Sequence, residues 1–337
     1  MTRSERSKIR PTLFLANDDI QLLADWRMAV DTLRRAYAAE VDPLSVPPRS
    51  MARGPGTWLR CLTAISPLGG HLGCKQIAAS PRTKRASYLV SLFEPETMRL
   101  AALMDGAQIT GIRTAATAVV AVDAMAPAKP LRVAILGSGF EAKAQWCALR
   151  AIRDIESVSV FSPTAANRQR FATELGAADS IPMRAADSAE AAVRGADLVI
   201  CAARARSEIP VLKGDWLEPG MTLVSVGSTL PEQREVDVGV LERSDLIVAD
   251  MVEEVAHDTG DLQAAKQQGL DLSHKLISLS DLISGKRRGR KHPADILLYK
   301  SVGGALQDVV IAELLFQQAT GRGVGSELGA SVVPVAK

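Results

Sequence analysis

The order of apolar and polar positions divides the chain into short elements of two periods. Pro11 to Leu15 reads as a strand, and Asn17-Asp18-Asp19 supplies N-cap chemistry for a helical stretch that Ala29 to Ala39 continues. Pro43, Pro47 and Pro48 rule out regular helix. Trp58 to Ile65 and Gly73 to Ile77 then alternate as strands around the turn Pro67-Leu68-Gly69-Gly70, and Tyr88 to Phe93 is another strand. Leu100 to Met125 is small, apolar and helical in pattern, and Pro127 and Pro130 end it.

Beyond that break, strands alternate with helices. Leu131 to Leu136 is an apolar strand, followed by a helix to about Arg153, a strand at Val158 to Phe161 and a helix over Ala165 to Leu175. Further strands are expected at Leu198 to Ala202, Met221 to Val226 and Leu246 to Ala249, then Ile296 to Tyr299 ahead of a long amphipathic helix, Ala305 to Gln318. This rhythm predicts an α/β fold with a parallel, doubly wound sheet. The expected boundaries place residues 119–296 in that sheet domain and residues 1–118 with 297–337 in a second domain.

Composition narrows the class. A chain of 337 residues with 47% hydrophobic residues has material for two cores. Its 40 basic and 38 acidic side chains nearly cancel, too small an excess for a surface that tracks phosphates, so a small-molecule partner is expected and nucleic acid is not. Cys61, Cys74, Cys147 and Cys201 are widely spaced, and His71, His257, His274 and His292 lack ligand spacing, so no metal or disulfide framework is expected. His257, after the strand at Leu246 to Ala249, is a candidate to approach the cofactor end of the sheet. With no apolar run of membrane length and no leader-like start, a cytoplasmic protein with no membrane contact is expected. The basic run Lys286 to Lys291 reads as a solvated loop.

The chemistry concentrates at Gly137-x-Gly139-x-x-Ala142, which follows an apolar strand and opens a helix. Gly137 permits the tight turn, Gly139 lets backbone approach a pyrophosphate, and Ala142 keeps helix and strand close. Free amides at a helix start favour the anion. Gly137, Ser138, Gly139, Phe140 and Glu141 are therefore candidate cofactor contacts, with Ala202 and Ala203 beyond the strand at Leu198. An acid at the end of the second strand would bind the ribose 2′-hydroxyl of NAD, but this strand ends Phe161-Ser162-Pro163-Thr164. Hydroxyls at Ser162 and Thr164 can donate, and Arg168 can pair with a 2′-phosphate, unless it is only a solvated helix residue. NADP(H) is expected over NAD(H), with NAD(H) possible.

Several separated segments then match one family in order: Pro47-Pro48-Arg49, Gly73-Cys74-Lys75, Arg113-Thr114-Ala115-Ala116, the glycine turn, Ser225-Val226-Gly227-Ser228, and Lys300-Ser301-Val302-Gly303 with Asp308 behind it. The chain resembles the ornithine cyclodeaminase and mu-crystallin family from about residue 12 to about residue 320. The resemblance implies a Rossmann domain inserted into a discontinuous α+β domain that binds substrate and forms a homodimer. It implies Arg49, Lys75 and Arg113 as substrate-facing side chains, with Ser87 a looser candidate because the loop from Ser80 to Ala86 aligns poorly. Further cofactor contacts carried over on the matching motifs are Arg113, Thr114, Val226, Gly227, Ser228, Ser301 and Gly303.

Those side chains suit the implied chemistry. The arginine fork matches a carboxylate, so Arg49 and Arg113 can hold an α-carboxylate, and Lys75 is the candidate catalytic residue, donating at the reacting nitrogen or oxygen. Arg113 lies in the apolar stretch Ile109 to Val122, where a lone cation requires a buried anion. One position departs from the pattern. Cyclodeaminases carry an aspartate where this chain has Thr229, a substrate-binding candidate that cannot act as a carboxylate base. The resemblance therefore favours the reductase and dehydrogenase branch: reduction of an imine of a 2-oxo acid, such as pyrroline-2-carboxylate, to an L-amino acid. Alternatives are an L-amino-acid dehydrogenase, an opine-type condensing reductase, and a non-catalytic protein that binds NADPH or a small ligand; cyclodeamination is disfavoured by Thr229.

Overall fold

The computed structural model describes residues 10–203, 209–328, 332, 334 and 335. The chain divides into two compact units, at Arg113/Thr114 and Gly303/Gly304. The inner unit, residues 114–303, thus extends beyond the expected 119–296 at both ends.

The unit made of the outer segments is built on a seven-stranded sheet. Its strands are β1 (Leu13–Leu15), β2 (Ser50–Gly54), β3 (Thr57–Ile65), β4 (Leu72–Ser80), β5 (Arg85–Phe93) and β6 (Leu100–Asp105), with Ser326–Glu327 at one edge. The order runs from Ser326–Glu327 through β1, β6, β5, β4 and β3 to β2. All pairings are antiparallel except β1 with β6.

Three sequence expectations are corrected in this unit. Leu100 to Asp105, expected as helix, is strand β6, because a strand buried between β1 and β5 shows a continuous apolar run that periodicity cannot separate from helix. The helix proper, Gly106–Met125, starts where the Asp105 carboxylate accepts the Ala107 amide at 2.8 Å. Asn17 is already helical: the cap is Ala16, whose amide donates to the Asp19 carboxylate at 2.9 Å. The expected continuous helix also breaks, and Trp26–Ala38 restarts with the Asp25 carboxylate accepting from the Met28 amide.

The C-terminal helix, Ala305–Arg322, packs across β3, β4 and β5 and against Trp26–Ala38. Gly73 makes the close approach possible, since a Cβ there would sit 2.4 Å from Val309 Cγ2. The turn after β3 is fastened to the same helix, where the Glu313 carboxylate binds both the Ser66 hydroxyl and His71 Nδ1.

The inner unit carries an eight-stranded sheet with every pairing parallel. Its strands are β7 (Leu131–Leu136), β8 (Ile155–Phe161), β9 (Met183–Ala185), β10 (Leu198–Cys201), β11 (Thr222–Ser225), β12 (Leu246–Ala249), β13 (Leu276–Ser278) and β14 (Leu297–Lys300). Their spatial order is β13-β12-β14-β11-β10-β7-β8-β9. The chain winds outward from β7 through β8 to β9, then returns to start the other half at β10. The doubly wound fold is thus present, with its topological switch point between β7 and β10.

The last strand, β14, inserts between β11 and β12. This places residues 297–303 with the parallel sheet rather than the outer segments. The basic run is also more than a solvated loop. Arg290 donates to Met125 O, at 3.0 Å, and to Thr222 Oγ1, at 2.9 Å, while Lys286, Arg287, Arg288 and Lys291 are exposed. Among the described residues no helix is long and apolar enough to cross a membrane.

Candidate functional site

The glycine turn joins β7 to the helix Phe140–Arg150. Gly137 has φ +130°, and a Cβ there would lie 2.5 Å from Ala202 O, the carbonyl that follows β10 at the switch point. Only glycine satisfies both demands. Gly139 caps the helix, and the space around its missing Cβ is open to 4 Å. That cradle, backed by the N-terminal end of the helix, fits a pyrophosphate. Phe140 and Glu141 form the first turn, with Phe140 exposed and Glu141 half-buried.

At the second strand the side chains are engaged with each other. Ser138 Oγ donates to Ser162 Oγ at 2.9 Å, so the buried Ser162 ties the glycine turn to the end of β8 rather than presenting a free hydroxyl. Thr164 is exposed beside it. Arg168 donates to Ser162 O at 3.0 Å and lies over the Phe161 ring at 5.5 Å. Its guanidinium is therefore held at the end of β8 and is not a freely solvated helix charge.

Along the same edge, Ala203 O lies 3.0 Å from where a Gly227 Cβ would be, bringing the ends of β10 and β11 together. The Val226 amide donates to Cys201 O, the Ser228 hydroxyl to Gln233 O at 2.6 Å and the Thr229 amide to Gln233 Oε1 at 3.0 Å. After β14, Asp250 gathers Ser301 Oγ and the amides of Val302 and Gly303. The sequence reading missed Asp250, whose only signal was its position at the end of a strand. His257 is exposed on the helix Val252–Asp258, near Glu253.

In the outer unit, Lys75 on β4 is 1% exposed. Its Nζ donates to Thr110 Oγ1 at 2.7 Å and to Asp308 Oδ1 at 2.8 Å, and lies 5.6 Å from the Tyr88 ring centre. Arg113 Nε is 3.2 Å from that same Asp308 oxygen, while Arg113 Nη1 donates to Gln307 Oε1 at 2.9 Å. Gln307 in turn donates to the Tyr37 hydroxyl at 2.9 Å. One carboxylate thus joins two cations from a strand and a helix to the C-terminal helix. Asp308 Oδ2 is buried with no hydrogen-bond partner among the described residues.

Strand alternation sorts the remaining candidates. Arg49 is half-buried and immediately precedes β2, two residues before Met51, whose row with Arg60, Ile77 and Tyr88 lies on the Lys75 face of the sheet. Ser87 pairs with Ala78 and therefore points from the opposite face. It is exposed there and separated from Lys75, which corrects its candidacy as a substrate contact. That opposite face carries the exposed apolar side chains Leu59, Ile65 and Leu89. Thr114, next to Arg113, is buried.

The chain is 30% identical over 263 residues to a Delta(1)-pyrroline-2-carboxylate reductase of Bacillus cereus (strain ZK / E33L), covering 76% of this chain and 80% of that protein. A solved Delta(1)-pyrroline-2-carboxylate reductase of Thermococcus litoralis, in complex with NADH and L-proline, superposes with a TM-score of 0.87 at 28% identity over 94% of this chain and 100% of the other. An archaeal alanine dehydrogenase, described as a dimer with bound NAD, gives a TM-score of 0.85 at 25% identity over 95% and 99% of the two chains. The family model for ornithine cyclodeaminase/mu-crystallin matches residues 69–323, a span that takes in Lys75, Arg113, the glycine turn, the Val226–Thr229 loop and Asp308, and the chain belongs to that family.

Proposed function

We propose that this protein is a nicotinamide-dependent reductase of imines of 2-oxo acids, cyclic ketimines such as pyrroline-2-carboxylate included, yielding an L-amino acid. The observation that carries the reading is the shared Asp308 oxygen. Lys75 and Arg113 converge on one buried carboxylate, so two cationic hydrogen-bond donors are held side by side, a pair suited to a substrate carboxylate. The similarity to pyrroline-2-carboxylate reductases supports the same substrate class.

The residues divide the work as follows. Arg113, with Arg49, holds the substrate carboxylate and fixes the adjacent carbon. Lys75, oriented by Asp308 and Thr110, donates a proton toward the imine nitrogen while the carbon of the C=N bond receives hydride. The dinucleotide supplies that hydride when bound, and the Gly137–Gly139 cradle with the loops after β10, β11 and β14 would hold it. Thr229 offers no carboxylate for cyclodeamination, which favours the reductase branch.

For the cofactor we favour NADP(H) over NAD(H), because the end of β8 lacks an acid and keeps Arg168 at its carbonyls. The solved relatives hold NADH and NAD, so NAD(H) is the competing cofactor. We also propose a homodimer that covers Leu59, Ile65 and Leu89 on the open sheet face, in keeping with the dimeric alanine dehydrogenase.

Loss of NADPH absorbance with pyrroline-2-carboxylate and with 2-oxo acids, each with and without ammonia or amines, tests the reading. Turnover of the cyclic imine without ammonia is the expected result. Strict dependence on ammonia or an amine would favour the amino-acid dehydrogenase or condensing reductase, for which the likeness to alanine dehydrogenase speaks. Tight NADPH binding with no turnover across the panel would reject enzymatic reduction.

A further inference from the structure

A charged group lies beneath the Val226–Thr229 loop, and none of the roles assigned above uses it. Lys300, the last residue of β14, is 0% exposed and its Nζ is 3.0 Å from Asp261 Oδ2, also 0% exposed. The same ammonium donates to Ser225 Oγ and to Ser228 O, each at 3.0 Å. Glu235, 1% exposed, accepts on Oε2 from Ser225 Oγ at 2.6 Å and from the Gly227 amide at 2.8 Å. Asp261 Oδ1 closes the group by accepting the amides of Glu235 and Val236.

The loop has no slack over this carboxylate. A Cβ on Gly227 would fall 2.3 Å from Glu235 Oε1, so the backbone is seated directly on it. Oε1 itself is buried and makes no hydrogen bond among the described residues. The ionisable groups facing Glu235 are Lys300 on β14, Asp261 on the helix Gly260–Gln267 and the Cys201 thiol on β10. Two carboxylates thus oppose one ammonium. Burial, against the pull of Lys300, Ser225 and the Gly227 amide, raises Glu235 to about 7.

We propose that Glu235 is a positioning residue for dinucleotide binding: as a carboxylate it clamps the Gly227 amide and the Ser225 hydroxyl, and so holds the Val226–Thr229 loop in the shape that receives the nicotinamide end. This rests on the reading of that loop as part of the cofactor edge. A carboxylate accepts hydrogen bonds about twice as strongly as a neutral carboxyl, so proton uptake loosens the clamp. Lys300 then keeps the Ser228 carbonyl while the Gly227 amide is held less firmly.

NADH is the probe, because it lacks the 2′-phosphate that itself titrates near ~6. Affinity is measured with the full chain by NADH fluorescence from pH 6 to pH 8. Wild-type affinity is expected to rise about fivefold to tenfold across the range and Glu235→Gln to stay flat, with thermal melting verifying its fold. Ser225→Ala, a small neutral change that decides the question even if Glu235→Gln does not fold, is expected to move the midpoint upward, because its hydroxyl favours the ionised form. A flat wild-type profile, an unshifted midpoint in Ser225→Ala, or the wild-type slope in Glu235→Gln would overturn the positioning role alone. Absence of NADH and NADPH binding at every pH would overturn both that role and the assignment of the cofactor edge.

Discussion

Lys75 Nζ and Asp308 Oδ1 are 2.8 Å apart, each side chain 1% exposed, although 233 residues separate them in the sequence. A pair so deeply buried orients the lysine only because Thr110 and Arg113 complete the geometry around it. Lys75→Ala is expected to lower kcat for imine reduction by about a hundredfold or more, with the Kd for NADPH unchanged, in steady-state kinetics and fluorescence titration. Full activity in that variant would remove Lys75 from the chemistry. Asp308→Asn removes the buried carboxylate that Lys75 and Arg113 share and is expected to cost about 3 to 5 kcal/mol of stability, read by chemical denaturation.

Gly137→Ala forces a side chain onto a backbone at φ +130° and against Ala202 O. Dinucleotide binding is expected to fall at least about tenfold, together with a lower melting temperature, since strain of this kind costs about 1 to 3 kcal/mol. Unchanged affinity in calorimetric titration would show that the turn tolerates a side chain.

Arg168 sits at the end of β8 through the Ser162 carbonyl and the Phe161 ring. Arg168→Ala is expected to reduce kcat/KM for NADPH by about tenfold or more while leaving NADH nearly unaffected, consistent with one lost charge-assisted contact. Equal losses with both cofactors, or a wild-type preference for NADH, would contradict the assigned preference.

Thr229 carries a hydroxyl at the position where the family resemblance implies a carboxylate in cyclodeaminases. With ornithine and NAD the protein is therefore expected to release no ammonia and form no proline, as followed by chromatography of the amino acids. Proline formation would reverse the branch assignment.

Asp197, beside β10, feels burial that disfavours its charge, but hydrogen bonds and ion pairs from Arg132 and Lys129 outweigh it and hold the carboxyl at about 2. A depressed carboxyl stabilises the fold above its unfolded value of about 3.9 and loses that contribution as pH falls through about 2. Both cations are about half exposed, so solvent screening limits the worth of the group to about 1 to 2 kcal/mol. Asp197→Asn is expected to lower stability at pH 7 by that amount and to flatten the acid limb of the stability profile between about pH 4 and pH 2, measured by urea denaturation.

The parallel half of the chain was the more legible. Apolar strands bounded by glycine and proline announced β7, β8, β10, β11, β12 and β14, and the glycine turn marked the start of the helix that follows β7. The three-residue strands β9 and β13 escaped, since so short a segment carries no periodicity. In the antiparallel half, β2 was missed because Ser50 to Gly54 is a largely exposed edge without an apolar face. Ser87 was misassigned because only the β4–β5 register reveals which face a strand residue takes.

By itself the sequence determined where a glycine turn opens a helix and which cations are available, because glycine spacing and local period are properties of neighbouring residues. It also excluded a carboxylate at position 229. Pairing was decided only by tertiary structure: Lys75 with Asp308, Ser138 with Ser162, and Lys300 with Asp261 directly and with Glu235 through the Ser225 hydroxyl. Such contacts join strands and helices distant in the chain, and their strength comes from burial, which no local pattern records. The glycine turn could therefore be read from the sequence, whereas the charge networks that set the shape of the neighbouring loop and the orientation of Lys75 required the fold.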